Sequence, residues 1–180
     1  TDFGTVVHGS VVDKDFYIYN NGTATLTIGS ISVPSTPIGG FVLMVPPASS
    51  IPPGGSDYFR VRLDASVGTY TGDISFSNND SNENPFTFRI TGSVVSRGSL
   101  CFNSTSYTLS EGGGSITVPI SRIGGSYGAA SISIATANGT ASAGSDYTAV
   151  STTLLWGDGD SSDKSISIPI IDDSSVEGNE

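Results

Sequence analysis

Apolar and polar residues alternate in short runs along most of the chain, and clusters of Gly, Pro, Asn and Asp separate the runs. Alternation of period two marks a strand with one buried face. Asp15 to Asn20 (D-F-Y-I-Y-N) puts Phe16 and Ile18 on one face. Asn20-Asn21-Gly22 follows, then T-A-T-L-T-I-G, and Asn-Gly between two such runs predicts a hairpin with a type I′ turn. Pro52-Pro53-Gly54-Gly55 predicts a turn. Asp57 to Leu63 then points Phe59, Val61 and Leu63 inward and Arg60 and Arg62 outward. Ile74 and Phe76 mark a short strand, Asn78 to Pro85 a polar loop, and Phe86, Phe88 and Ile90 the inner face of another strand. About seven strands in the first ~95 residues fit the size and rhythm of an immunoglobulin-like sandwich.

The second half repeats the pattern. Cys101, Asn103 and Thr105 alternate with Phe102 and Ser104, and Tyr107 and Leu109 continue the alternation. Glu111 meets three glycines, and S-I-T-V-P-I-S-R follows with Ile116, Val118 and Ile120 inward. Gly124 to Gly128 is a turn, Ser131 to Ala135 a strand, and Asn138-Gly139 a second turn. Leu154, Leu155 and Trp156 end a further strand, with Trp156 and Tyr147 as inward anchors. In the last run Ile166, Ile168 and Ile170 alternate with Ser167 and Pro169. Val94 to Ser99, short and carrying a Gly, is expected to be a tight linker between tandem sandwiches. No convincing helical periodicity occurs in any window of ten or more residues, so the fold expected is all-β: two tandem immunoglobulin-like β-sandwiches, the second incomplete.

That last strand leads into Asp172, Asp173, Glu177 and Glu180, four carboxylates within nine residues. Like charges this close repel, and a fold that orders them usually supplies a cation. Ca²⁺ takes six to eight oxygens, a demand that clustered Asp and Glu meet. On the spacing alone, a solvated acidic loop at a strand end is the simpler reading.

Charge narrows the partners. The 180 residues carry a formal net charge of −10, with eight acidic and four basic residues before Ser96 and nine and three after it. Both halves are acidic, which argues against nucleic acid and anionic membrane. Cys101 is alone, so no internal disulfide staples the chain. No apolar run is long enough to span a bilayer. The chain starts in mid-pattern without Met and is expected to be a fragment of something longer, so a missing targeting signal means little.

Several motifs point to chemistry that their context does not support. G-G-S-Y-G (124–128) satisfies the G-x-S-x-G pattern, which needs a strand–turn–helix setting and a His partner. Strands are predicted on both sides here, and His8, the only histidine, lies in the other half. Asp158-Gly159-Asp160 with Asp163 suggests a calcium loop, but Ser162 and Asp163 occupy positions that an EF-hand gives to Asp/Asn and Gly. A polar hairpin turn is the simpler reading. The N-x-[ST] triplets at Asn21, Asn79, Asn103 and Asn138 arise by chance in a chain this rich in Asn, Ser and Thr.

Two resemblances go further. D-F-G-T-V (2–6), N-N-G-T-A-T-L-T-I (20–28), P-P-G-G-S (52–56), G-T-Y-T-G-D-I-S-F (68–76), S-N-N-D (77–80) and I-T-G-S-V (90–94) resemble the choice-of-anchor D module, a Hydin-type immunoglobulin-like domain. The resemblance covers residues 1–95, implies a spacer or interaction module, and implies one more strand before D-F-G. S-Y-T-L-S-E-G-G-G-S-I-T-V-P-I-S-R (106–122), A-T-A-N-G-T-A-S-A-G-S-D-Y-T (135–148) and I-P-I-I-D-D-S-S-V-E-G-N-E (168–180) resemble the Calx-beta domain, here residues 96–180. That family implies a calcium-binding immunoglobulin-like sandwich with two more strands beyond Glu180.

The Calx-beta resemblance implies metal ligands at Glu111, Asp146, Asp172, Asp173 and Glu177, with Glu180 within reach, and no catalytic residue. It implies Ca²⁺ as the bound ion and a non-enzymatic module of a large extracellular or cell-surface protein, bacterial, secreted or anchored through its parent chain, in adhesion or cell communication. The alternative is a metal-independent spacer, or a carbohydrate-facing module attached to an enzyme elsewhere on the parent chain. Expected partners are neighbouring immunoglobulin-like modules of the same parent chain and a surface protein or glycan, with no nucleic acid and no direct membrane insertion.

Overall fold

A computed structural model describes residues 1–34 and 40–173. The chain divides into two compact units, Thr1–Val95 and Ser96–Glu180. Both are all-β, and among the described residues no helix is long and apolar enough to cross a membrane.

The described residues of the first unit form eight strands: β1 (Asp2–Val7), β2 (Val12–Tyr19), β3 (Leu26–Thr27), β4 (Phe41–Val45), β5 (Ser50–Ile51), β6 (Ser56–Leu63), β7 (Gly68–Phe76) and β8 (Phe86–Val95). One sheet runs β1-β8-β7 and another β2-β6-β4, while β3 and β5 pair apart. β1 lies parallel to β8, and the other pairs are antiparallel. The alternating residues fill the core: Phe59, Val61 and Leu63 from β6, Ile74 and Phe76 from β7, and Ile90 from β8 are buried. Phe88 packs partly against them, whereas Phe86, at the start of β8, is exposed.

Between β6 and β7 the chain changes sheets. Tyr70, near the start of β7, is buried and donates its hydroxyl to the Ser66 carbonyl at 2.7 Å. This bond back to the backbone just upstream is the tyrosine corner of immunoglobulin-like sandwiches. Gly40 is required beside it, because a Cβ there would stand 2.7 Å from the Tyr70 ring.

The hairpin expected at Asn20-Asn21-Gly22 does not form. β2 pairs with β6 along its whole length, and β3 pairs with β5. Asn20 is buried, and its Nδ2 donates to the carbonyls of Ala24 and Ile51 while its Oδ1 accepts from the Gly22 amide. The side chain thus satisfies the backbone of a corner that crosses from one strand pair to another.

The second unit has β9 (Arg97–Phe102), a 3₁₀ turn (Glu111–Gly113), β10 (Ser115–Gly125), β11 (Ala130–Ala135), β12 (Ser151–Trp156) and β13 (Lys164–Pro169). β13-β10-β9 form one antiparallel sheet and β11-β12 another. Val118, Ile120, Trp156 and Ile166 are buried, and Trp156 donates its indole N–H to the Ser162 carbonyl at 2.8 Å. The expected linker is itself strand: β8 reaches Val95 and β9 begins at Arg97, leaving Ser96 alone outside. The alternation expected to continue through Asn103 to Leu109 does not, since β9 stops at Phe102. Cys101 is half-buried in β9, with its Sγ 3.8 Å from the Ser121 carbonyl.

Candidate metal centre

Glu111 opens the 3₁₀ turn, which the Gly113 amide closes onto the Ser110 carbonyl at 2.8 Å. Gly114, at φ +78°, then turns the chain into β10, a conformation that side chains other than Gly rarely adopt. Glu111 is half-buried.

Asp146 lies in the long connection from β11 to β12. Its carboxylate accepts the Ser142 amide, and its own amide donates to the Ser142 carbonyl at 3.0 Å. Asn138 braces the same loop from the other side: its Oδ1 accepts the Ala143 amide and the Tyr147 hydroxyl, both at 2.9 Å. Tyr147 is buried and anchors the loop in the core. The small residues of G-T-A-S-A-G-S-D-Y let the chain coil this tightly around one carboxylate.

The third stretch arrives by backbone pairing. The Thr148 amide donates to Pro169, the Ile170 amide to Gly114 and the Ile171 amide to Asp146, each at 2.9 Å. These bonds dock the end of β13 against both the Asp146 loop and the glycine turn after Glu111. Asp172 follows at once, and a Cβ on Gly112 would stand 3.7 Å from its Oδ2. Glu111 and Asp146 also line a cavity of about 780 Å³, walled by Tyr107, Leu109, Ile116, Tyr147, Ile168 and Ile170 among others.

Glu111, Asp146 and Asp172 thus come from three distant stretches to one end of the unit. Asp173 is exposed beside Asp172. Glu177 and Glu180 lie outside the described residues. The donors are all hard oxygens, the chemistry that Ca²⁺ takes and that softer metals do not prefer. Among the described residues, no three of His, Cys, Asp or Glu stand close enough to hold a metal ion. The donor chemistry fits calcium, and the described carboxylates by themselves do not form its shell.

Residues 95–180 match the family model of the Calx-beta domain. No curated protein matches the chain. Among solved structures, CBD12 from CALX1.2 is 18% identical, over 97% of this chain and 74% of that one, with a TM-score of 0.43. The calcium binding domain CBD12 of CALX1.1 is 17% identical, over 95% and 73%, with a TM-score of 0.42. A protein of unknown function from Porphyromonas gingivalis W83 is 23% identical, over 51% and 42%, with a TM-score of 0.44.

Within residues 95–180 three other acidic residues are occupied separately. Asp158 accepts the Gly128 amide at 2.6 Å, and Asp163 accepts the Ser121 hydroxyl at 2.6 Å. Asp160 accepts the hydroxyl and amide of Ser162, and Lys164 lies 3.1 Å away. The Ser162 hydroxyl, then its amide, then Lys164 hold the Asp160 carboxyl down to about 2. The segment is not a hairpin turn, because β12 and β13 belong to different sheets. Ser126 sits between β10 and β11, so no helix follows it.

Arg122 was not foreseen. It is buried on the same face of β10 as Val118 and Ile120. Its guanidinium donates to five carbonyls: Arg97, Gly157, Asp160, Tyr127 and Gly128, at 2.8–3.2 Å. Its parity with Ile116, Val118 and Ile120 was the available signal.

Proposed function

We propose that residues 96–180 form a calcium-binding module, with Glu111, Asp146, Asp172 and Asp173 as ligands and Glu177 and Glu180 completing the shell. The carrying observation is the pair of backbone bonds, Ile170 to Gly114 and Ile171 to Asp146, that bring the three acidic stretches to one end of the Calx-beta region. Bound Ca²⁺ would neutralise carboxylates that otherwise repel. Tightening of the three loops would follow, and the ion's role would be structural wherever calcium is plentiful. The module carries no catalytic role in this reading.

The setting we propose is a large extracellular or cell-surface protein in adhesion or cell communication, with residues 1–95 as a choice-of-anchor D spacer and other immunoglobulin-like modules as neighbours. The tyrosine corner at Tyr70 and the acidic surface support that reading.

The test is thermal unfolding in EDTA, in millimolar Ca²⁺ and in millimolar Mg²⁺. A ligand that binds only the folded state at a hundred times its Kd stabilises it by about 2.7 kcal/mol. The expected result is a higher midpoint with Ca²⁺, little change with Mg²⁺, and no Ca²⁺ response in Asp146→Asn/Asp172→Asn. An equal response in that variant, or no response here and in a chain extended past Glu180, would leave a metal-independent spacer.

A further inference from the structure

Two Asn-Gly pairs occur in the chain, Asn21-Gly22 and Asn138-Gly139. In such a pair the backbone nitrogen of Gly can close a five-membered ring on the Asn side chain, because Gly has no Cβ to obstruct the approach. The fold holds the two pairs differently.

The Gly22 amide donates to the Oδ1 of Asn20 at 3.0 Å, and Asn20 is buried with its Nδ2 on two further carbonyls. A nitrogen fixed to a buried, fully bonded side chain is not free to turn onto its neighbour. The Gly139 amide donates to the Ala141 carbonyl at 3.1 Å, in a stretch where residues 137–140 are all exposed. A Cβ on Gly139 would meet nothing within 4 Å, so the space around it is open.

The Asn138 side chain is held by one end. Its Oδ1 accepts the Ala143 amide and the Tyr147 hydroxyl, both at 2.9 Å, and a backbone N–H only donates, so the oxygen is the atom that faces it. Among the described residues no hydrogen bond holds the Nδ2. Two donors on a carbonyl oxygen stabilise the charge that forms there when a nucleophile attacks the carbon. The carbon is thus activated, and the nitrogen that must leave is unbonded.

We propose that Asn138-Gly139 is a self-modifying site, at which the folded chain converts Asn138 to aspartate and isoaspartate. The Gly139 nitrogen loses its proton to solvent base and bonds to Cγ. The Cγ–Nδ2 bond breaks, and the nitrogen leaves with the bonding electrons, takes up a proton and departs as ammonia. Water then adds to one of the two ring carbonyls and breaks its bond to the ring nitrogen, which regains a proton. The net change is water in and ammonia out, with nothing oxidised or reduced. Either product carries one more negative charge. Asp146 accepts the Ser142 amide and residue 138 the next amide, that of Ala143, so in the aspartate form the charge falls beside the Asp146 carboxylate. Any effect on calcium rests on the calcium-binding reading of this end; the conversion itself does not.

The test is peptide mapping by mass spectrometry of the full chain aged in mildly alkaline buffer, once folded and once in urea. In urea both Asn-Gly peptides should gain the mass difference between water and ammonia. In the folded chain the Asn138 peptide should gain it while the Asn21 peptide lags well behind. Tyr147→Phe keeps the buried ring, removes one donor, and should slow the folded-state conversion of Asn138 several-fold. The proposal is overturned by an Asn138 peptide that stays unmodified in the folded chain, or by an Asn21 peptide that converts as fast. Equal or faster conversion in Tyr147→Phe also overturns it, by showing that the bond restrains the side chain and does not activate it.

Discussion

The amide of Ile171 donates to the carbonyl of Asp146 at 2.9 Å, so the backbone leading to Asp172 is bonded to the residue that bears another acidic side chain. Protein alone makes this contact, which leaves a metal ion less ordering to do. The Asp146 side of it depends on Asn138, whose Oδ1 holds both the Ala143 amide and the Tyr147 hydroxyl. Asn138→Ala removes both bonds without touching a proposed ligand. Outer-shell partners of this kind are worth about 10–100-fold in metal affinity, and a loss in that range is expected by calorimetric titration with Ca²⁺. Unchanged affinity would mean that the loop is held by its coiling around Ser142 alone.

Arg122 supplies the second unit with polar order in place of apolar bulk. Its guanidinium bridges carbonyls from β9, from the turn at Tyr127-Gly128 and from the corner at Gly157–Asp160. Hydrogen bonds to a charged group are stronger than neutral ones, and carbonyls left buried and unpaired cost more than the bond contributed. Arg122→Met is expected to destabilise the unit by about 3 kcal/mol or more in urea unfolding followed by Trp156 fluorescence. Arg122→Lys should recover little, since an ammonium cannot fork to several carbonyls. A loss below about 1 kcal/mol for Arg122→Met would show that water replaces the guanidinium at those carbonyls.

Period-two alternation made most strands legible because each sheet has one buried face. β6 is the clearest case, with Phe59, Val61 and Leu63 buried and Arg60 and Arg62 paired outside to Asp15 and Asp13. Tertiary bonding overrode the local turn signal at Asn20, where a buried side chain serves the nearby Ala24 carbonyl and the distant Ile51 carbonyl. Arg122 was hidden by its charge, although its parity placed it inside. The approach of the stretches that carry Glu111, Asp146 and Asp172 could not be read from spacing, since it rests on backbone bonds between stretches far apart in sequence. Family resemblance, and not periodicity, suggested those positions together.

Tyr70 tests the first unit by itself. Its hydroxyl bonds to the Ser66 carbonyl where the chain passes from one sheet to the other. Tyr70→Phe keeps the buried ring and deletes only the hydroxyl, with its bond to the Ser66 carbonyl and its 3.2 Å contact with the Ser66 Oγ. The Ser66 carbonyl is then unpaired in a part-buried corner, a loss of about 1–2 kcal/mol. Equilibrium unfolding by urea, followed by tyrosine fluorescence, should show it as a lower midpoint at unchanged slope. No shift would mean that ring packing against Gly40, and not the hydroxyl, holds the corner.

Acid should weaken both units through carboxylates held ionised by their partners. Arg62 holds Asp13 below the usual carboxylate range, Arg60 does so for Asp15, and Arg89 for Asp73. In the second unit Asp160 is lowered to about 2 by Ser162 and then Lys164. A carboxyl depressed in the folded state stabilises it fully above the unfolded value of about 4, and that contribution disappears as pH falls through the folded value. Stability should therefore be insensitive to these groups from about pH 5 to 8 and fall between about pH 4 and 2. Trp156 is the only tryptophan and donates to Ser162, so its fluorescence reports the second unit. In Asp160→Asn the Ser162 contacts can persist while the titrating charge opposite Lys164 is gone. The Trp156-detected acid transition of that variant should depend less steeply on pH over this window than that of the parent chain. Superimposable transitions would show that Asp160 is equally depressed in the unfolded chain, where Ser162 and Lys164 are still its near neighbours in sequence.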